Sequence, residues 1–450
     1  MPIRFRQTYP SARSVSVSTS AALTAALTAA LTMGGVSAVT AQEKPAEFNI
    51  GITTYSSGSA SVFGVPARQA AEMLAEQLNA RGGLEGVPVK LHFIDEGAGL
   101  ETLLTEYRRL VEDVGVDVMF ASISSGVCNK IAPLAEDLEA LNLMWDCGTQ
   151  RILEDDDYHY VFRTQANATP EMLAPLAYLL KEMPDFKTIA VVNQDYAFGR
   201  DSWELFSTAL KTQRPDVEVV AELFPAFGAA DFSAEVSRLQ ALKPDVILST
   251  SWGGDLDTFV RQAQQRGLFD QSTFVLGLGE SSLQRLGDTL PEGVIIAARG
   301  DHYFQHPERR DDADFIKFND DFKAKSGEYP IYSVYHMAQA FAALEAVYKK
   351  AMAENGGAWP DQEQIIAAME GLEYQGFGRP LSMREDGQAV EAQLVGTTAK
   401  SDAHPFKILK NIAVYDGAEL MAPVGEESLD WIADFAPDKL AITGQRYDTE

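Results

Sequence analysis

The stretch FNIGITTYSSGSASVFGVPARQAAEMLAEQLNARGGLEGVPVKLHFID, residues 48–95, decides the fold. Its opening run, 48–55, is apolar and β-branched and predicts a strand. Residues 66–80 predict a helix, because Ala67, Ala70, Ala71, Leu74 and Leu78 recur at i, i+3, i+4 spacing and share one face. Gly82 and Gly83 stop that helix, and 87–95 predicts a second strand. Strand, helix, strand in this order is the unit of a parallel sheet.

The same alternation continues outward. Strands are predicted at 116–121 and 142–145, with helices at 100–114 and 127–141. A second series places strands at 188–193, 218–223, 245–251, 273–276 and 293–298. Helices at 201–211, 232–242 and 256–266 lie between them. So many units exceed one compact sheet and predict two α/β lobes, with the joint near 163–169, where the pattern pauses before Pro170. Helices at 333–351 and 361–372 follow, then a Gly-rich stretch at 374–380 and antiparallel strands within 381–414. Residues from Gly425 onward are acidic and weakly patterned.

Composition agrees and excludes several classes of function. The 450 residues carry 37 Lys and Arg against 65 Asp and Glu, a net charge of −28. Nucleic acid and anionic membranes need basic patches, so neither is expected as a partner. With 46% hydrophobic residues the chain has apolar content for a large core. Arg4, Arg6 and Arg13 are the only charged residues before Glu43, and they precede the Ala/Leu/Thr run 21–32 and a small-residue end at Ala41. That order predicts a secretory signal peptide over 1–41 and export to the periplasm.

No catalytic constellation is present. The sequence lacks H-E-x-x-H, G-x-S-x-G, C-x-x-C and Walker A motifs. Its six His (92, 159, 302, 306, 336, 404) show no metal-ligand spacing. The runs Asp155–Asp157 and 311–314 read as solvated faces. An enzyme, a metal site and a cofactor are therefore not expected.

What remains is pocket chemistry at the C-terminal ends of the predicted strands, where open α/β sheets bind ligands. Ser124-Ser125-Gly126 opens a helix, and free N–H groups there suit a carboxylate or phosphate. Trp145-Asp146-Cys147-Gly148-Thr149 ends the adjacent strand. In the second lobe, Asp195-Tyr196-Ala197-Phe198-Gly199, Trp252-Gly253-Gly254 and Gly277-Leu278-Gly279-Glu280 end three further strands. Cys128 follows the helix start and Cys147 ends the next strand, so the pair is expected within bridging distance.

At these residues the sequence resembles the leucine/isoleucine/valine-type periplasmic solute-binding proteins of ABC importers, the type I periplasmic binding proteins. The similarity runs from about Phe48 to Val395. It is carried by Ser57-Gly58 with Phe63-Gly64, by 78–84 (LNARGGL), by Ser124-Ser125-Gly126, Gly148-Thr149 and 195–200 (DYAFGR). Val260-Arg261-Gln262-Ala263 with Gly267-Leu268, and Pro291-Glu292-Gly293-Val294, complete it.

The resemblance implies two doubly wound, Rossmann-like lobes joined by a three-strand hinge, with the ligand cleft between them. Residues 46–165 plus 301–375 would form the N-terminal lobe, 166–300 plus 376–424 the C-terminal lobe, and 425–450 a tail. It implies that Ser124, Ser125 and Thr149 hold a ligand carboxylate, and that the Gly148 carbonyl and Glu280 take an ammonium. Phe63, Phe198 and Trp252 would be aromatic walls. Trp145 and Asp146 depart from the family's usual small residues, with Trp145 placed to fill the pocket or stack on a flat ligand. The implied function is delivery of a small amino-acid-like or carboxylate solute, by a monomer, to permease subunits in the inner membrane. The alternative is a periplasmic sensor of the same fold that feeds a signalling partner.

Overall fold

The computed structural model describes residues 43–447, so the expected signal peptide lies outside the described residues. Five parallel strands form one sheet in the order Val89–Asp95, Phe48–Thr54, Val118–Phe120, Asn142–Met144, Val161–Arg163. Ile50, Gly51, Ile52 and Thr53 are buried in succession, as a strand covered by helices on both faces requires. The second sheet has eight strands, and five of them run parallel: Ile295–Ala297, Thr273–Leu276, Val246–Ser249, Thr188–Val192 and Glu218–Leu223. Gln393–Ala399, Ile408–Tyr415 and Gln445–Tyr447 extend it antiparallel beyond Ile295–Ala297. Two α/β lobes are thus the architecture, and the chain passes between the two sheets near 163–168, 298–302 and 388–393.

Several helices differ from their expected limits. Ser61–Ala80 starts ahead of Pro66, which sits inside the helix rather than opening it. Ala168–Glu182 was not expected, because Pro170 reads as a break. Pro170 instead occupies the first turn, where its missing N–H costs no intrahelical bond, and Asn167 caps the helix through Thr169 N–H at 3.0 Å. The helix is buried on nearly every side, so it has no polar face to reveal its period. Within 311–314, Asp312 is an N-cap: its carboxylate accepts the N–H groups of Asp314 and Phe315, both at 3.0 Å, and opens the helix Ala313–Ser326.

The C-terminal region also corrects the expected organisation. Leu381–Met383 pairs with both Glu373–Tyr374 and Ala389–Val390 in a three-stranded sheet, so a boundary at 375/376 would cut through paired strands. Residues after Gly425 are built into the second lobe rather than trailing from it. Ser428–Ala433 packs on the helix Ala197–Gln213, and Gln445–Tyr447 pairs with Ile408–Tyr415.

Candidate functional site

The helix Ser125–Asp137 points its N-terminus at the end of the first sheet. Its N-cap, Ser124, has extended backbone and its side chain caps no N–H group. The first-turn N–H groups of Ser125 and Gly126 have no intrahelical partners, so they form a receptor for an anion. The loop entering this helix is held by Glu96, which accepts the Thr53 hydroxyl at 2.6 Å and the N–H groups of Ile123 and Ser124 at 2.9 and 3.3 Å. Burial pushes the Glu96 carboxyl up to about 7, against these three donors. Ser125 Oγ accepts the N–H of Thr149 at 3.1 Å, which ties together the two segments expected to hold a carboxylate.

Thr149 and Gly148 have further partners. The Thr149 hydroxyl donates to Asp201 at 2.6 Å, and the Gly148 carbonyl accepts Ala168 N–H at 2.7 Å. A Cβ on Gly148 would lie 2.4 Å from the Phe198 ring and 2.7 Å from the Arg299 guanidinium, so only glycine permits this approach. Glu280 is buried, and its carboxylate accepts the N–H of Tyr332 at 2.9 Å, at the start of the helix Tyr332–Glu354. Burial pushes Glu280 up to about 8. Both groups read as ammonium acceptors therefore already hold a backbone donor.

Asp146 belongs to a buried charge cluster. Arg299 donates to its carboxylate at 2.8 Å and to its carbonyl at 2.7 Å, and also reaches Glu171 at 3.2 Å. Burial drives both carboxyls up to about 7, opposed by the Arg299 charge. Burial works against the Arg299 charge in turn, but Asp146 and Glu171 outweigh it and hold the guanidinium above its usual range. The carboxylate of Asp146 also meets Nδ1 of His336.

Aromatic rings close the site. Phe63 packs against Trp252 and Tyr332, with centroids 5.2 and 4.7 Å apart, and Tyr55 meets Trp252 at 6.1 Å. The Trp252 indole N–H donates to the Tyr196 hydroxyl at 2.7 Å, and Tyr196 lies 6.3 Å from Phe198. Arg299 stands over the rings of Phe198 and Tyr332, at 5.2 and 5.4 Å. The buried Tyr332 hydroxyl has no hydrogen-bond partner. Gly254 N–H donates to the Ser59 carbonyl at 3.0 Å and joins the rims of the two lobes.

The structure thus brings Phe63, Phe198, Trp252, Gly148, Asp146 and Arg299 together, and sets Ser124, Ser125 and Thr149 at the adjoining helix start. Trp145 is completely buried, and its indole N–H donates to the Thr53 carbonyl at 3.2 Å. Cys128 and Cys147 are joined as a disulfide, with Cα atoms 6.3 Å apart. Sequence reasoning missed Arg299, Glu171, Tyr332 and His336. Arg299 follows a predicted strand directly, the position that singled out the other cleft residues, and that was the available signal. The other three lie inside helices and carry none.

These elements define a two-lobed α/β protein whose strand-end residues meet between the two sheets. The chain belongs to the periplasmic binding protein family, whose model matches residues 47–403. It is 28% identical over 331 residues to Leu/Ile/Val-binding protein homolog 7 of Brucella abortus, covering 70% of this chain and 80% of the relative. Among solved structures, the solute-binding protein of an ABC transporter from Rhodopseudomonas palustris BisB5, in complex with 3,4-dihydroxybenzoic acid, has a TM-score of 0.70. It is 20% identical, with 83% of this chain and 98% of that one covered. A leucine-, isoleucine-, valine-, threonine- and alanine-binding protein from Brucella ovis, in its closed conformation, has a TM-score of 0.68. It is 21% identical, covering 84% and 97% of the two chains.

Proposed function

We infer that this protein is the periplasmic solute-binding component of an ABC importer and that its ligand is a small carboxylate with a flat apolar body and no ammonium group. One observation carries the ligand class. The Gly148 carbonyl and the Glu280 carboxylate each hold a backbone N–H, whereas the helix start at Ser124-Ser125-Gly126 lacks a side-chain cap. An ammonium would share acceptors that each already hold a donor, whereas a carboxylate would meet N–H groups without an intrahelical partner. The rings of Tyr55, Phe63, Phe198, Trp252 and Tyr332 suit a planar body. Neighbours of the same fold include complexes with 3,4-dihydroxybenzoic acid and benzoate beside a leucine-, isoleucine-, valine-, threonine- and alanine-binding protein, so the fold accommodates a flat aromatic acid. Closure of the lobes would desolvate the bound anion, and the closed form is what permease subunits in the inner membrane would recognise. No reaction is involved, and the ligand leaves as it entered.

Calorimetric titration of the exported, full mature chain tests this. Benzoate, 4-hydroxybenzoate and 3,4-dihydroxybenzoate are compared with leucine and phenylalanine. At least one aromatic acid is expected to bind ~100-fold or more tighter than either amino acid, a difference of about 2.7 kcal/mol. Tighter binding of leucine or phenylalanine overturns the ligand class.

A further inference from the structure

Behind the charge cluster, the fold gathers residues that are far apart in the sequence. The ligand atoms of His302, His336 and Glu391 all lie within 4.8 Å of one another, and all three residues are buried. His302 stands on the second passage between the sheets, Glu391 on the third, and His336 on the helix Tyr332–Glu354, which packs against the first lobe's helix Ser61–Ala80. At sequence positions 302, 336 and 391 no motif spacing announces them.

Three features of this cluster suit a bound cation. Neither ring nitrogen of His302 has a hydrogen-bond partner, although the residue is completely buried. His336 faces two acceptors: the Asp146 carboxylate at Nδ1, and the Arg299 carbonyl at Nε2, 2.9 Å away. A neutral imidazole carries one N–H and satisfies only one of them. With that proton on Nδ1 toward Asp146, Nε2 presents its lone pair to a carbonyl lone pair. A histidine oriented by a carboxylate through one nitrogen, with the other nitrogen unprotonated, has the arrangement of a metal ligand. Finally, the backbone at Gly300 has φ +136°, and a Cβ there would lie 2.5 Å from His302 Nε2 and 2.7 Å from Glu391 Oε1. Glycine therefore keeps the space between these two atoms clear.

We propose that His302, His336 and Glu391, completed by the carbonyl of Arg299, form a binding site for a divalent transition-metal ion of the zinc class at the hinge. Two imidazoles, a carboxylate and a carbonyl form a mixed nitrogen and oxygen set that suits zinc better than calcium or magnesium. Around a tetrahedral ion with ~2.1 Å bonds the ligand atoms sit ~3.4 Å apart, so the side chains must draw in by about an ångström. The outer contacts are already present: Asp146 on His336, and Gln339 and Ala166 on Glu391, at 2.7 and 3.0 Å. Bound there, the ion would join two of the three hinge segments to a first-lobe helix and restrict opening of the cleft.

The test uses the untagged full mature chain, dialysed against metal-free buffer and then titrated with Zn2+ or Co2+. About one equivalent of zinc per chain is expected, and cobalt should give the intense visible band of a tetrahedral ion. His302→Gln should weaken uptake ~10-fold or more, while His159→Ala, at an exposed histidine remote from the cluster, should leave it unchanged. Should His302→Gln fail to fold, the cobalt spectrum of the unaltered chain decides alone. No stoichiometric zinc and no tetrahedral cobalt band overturn the proposal, as does equal uptake by His302→Gln and the unaltered chain.

Discussion

The Thr149 hydroxyl donates to the Asp201 carboxylate at 2.6 Å, from the end of a first-lobe strand to the second-lobe helix Ala197–Gln213. Asp201 is buried and its other oxygen accepts the guanidinium of Arg151 at 3.1 Å. This contact joins the lobes directly. Thr149→Val leaves a buried carboxylate short of one donor, so the ligand-free chain should lose about 1–3 kcal/mol of stability, measured by urea unfolding. If stability holds and only ligand affinity falls, the hydroxyl serves the ligand and the latch reading is wrong.

Ser125→Ala separates the two roles of the helix start. It removes the acceptor for Thr149 N–H and a hydroxyl beside the anion receptor, while the backbone N–H groups remain. Affinity for the best aromatic acid should fall by about 1–3 kcal/mol in calorimetry, the range for hydrogen bonds to charged groups. An unchanged dissociation constant would take this helix start out of the site.

Glu280→Gln keeps a carbonyl oxygen to accept Tyr332 N–H and removes the ionisable group. If Glu280 only caps that helix, an amino acid and its deaminated analogue should lose affinity equally. A loss of ~10-fold or more confined to the amino acid would make Glu280 an ammonium partner and reverse the ligand class proposed above.

Glu96 gives the protein a pH dependence of definite sign. Its carboxyl titrates near 4.5 when unfolded and is pushed up to about 7 by burial. Below 4.5 both states hold the proton and no penalty arises. Between 4.5 and 7 the unfolded chain releases it first, so stability falls as pH rises, and the cost is complete above 7. The shift corresponds to roughly 3 kcal/mol. Glu96→Gln should flatten this part of the curve when urea unfolding at pH 5 and pH 8 is compared. Parallel curves for the two chains would show that Glu96 does not titrate this way.

Periodicity was enough to place the strands that carry the cleft, because parallel strands are short apolar runs bounded by polar ends. Thr188 to Val192 and Thr273 to Leu276 lie where their composition puts them. It failed for Ala168–Glu182, which is buried all round and carries two prolines. Of the aromatic walls, Phe198 and Trp252 were legible at the ends of predicted strands, and Phe63 only through the family resemblance. Arg299 and His336 were not, since their importance lies in Asp146, a residue distant in the sequence that each of them contacts. Side-chain pairing across a hinge leaves no pattern in a linear chain.

Cys128 lies in the first turns of the helix Ser125–Asp137, and Cys147 follows the strand Asn142–Met144. Their strands of origin, Val118–Phe120 and Asn142–Met144, are neighbours in the parallel sheet, which brings the Cα atoms to 6.3 Å. Cys147 immediately precedes Gly148 and Thr149, and Cys128 is three residues beyond Ser125, so the bridge anchors both segments of the anion receptor. The bonded residues are 19 apart, and closing a loop of that size constrains the unfolded chain by about 3 kcal/mol in the chain-entropy account. Cys128→Ala with Cys147→Ala should therefore lower stability by about that amount under oxidising conditions, and by much less when both chains are compared in reductant. Protein exported to the periplasm, denatured without reductant and titrated for thiols, should show none. Two free thiols per chain would mean that the pair stays reduced in the cell compartment where the protein works, and that the helix start is held by Ser125 and Glu96 alone.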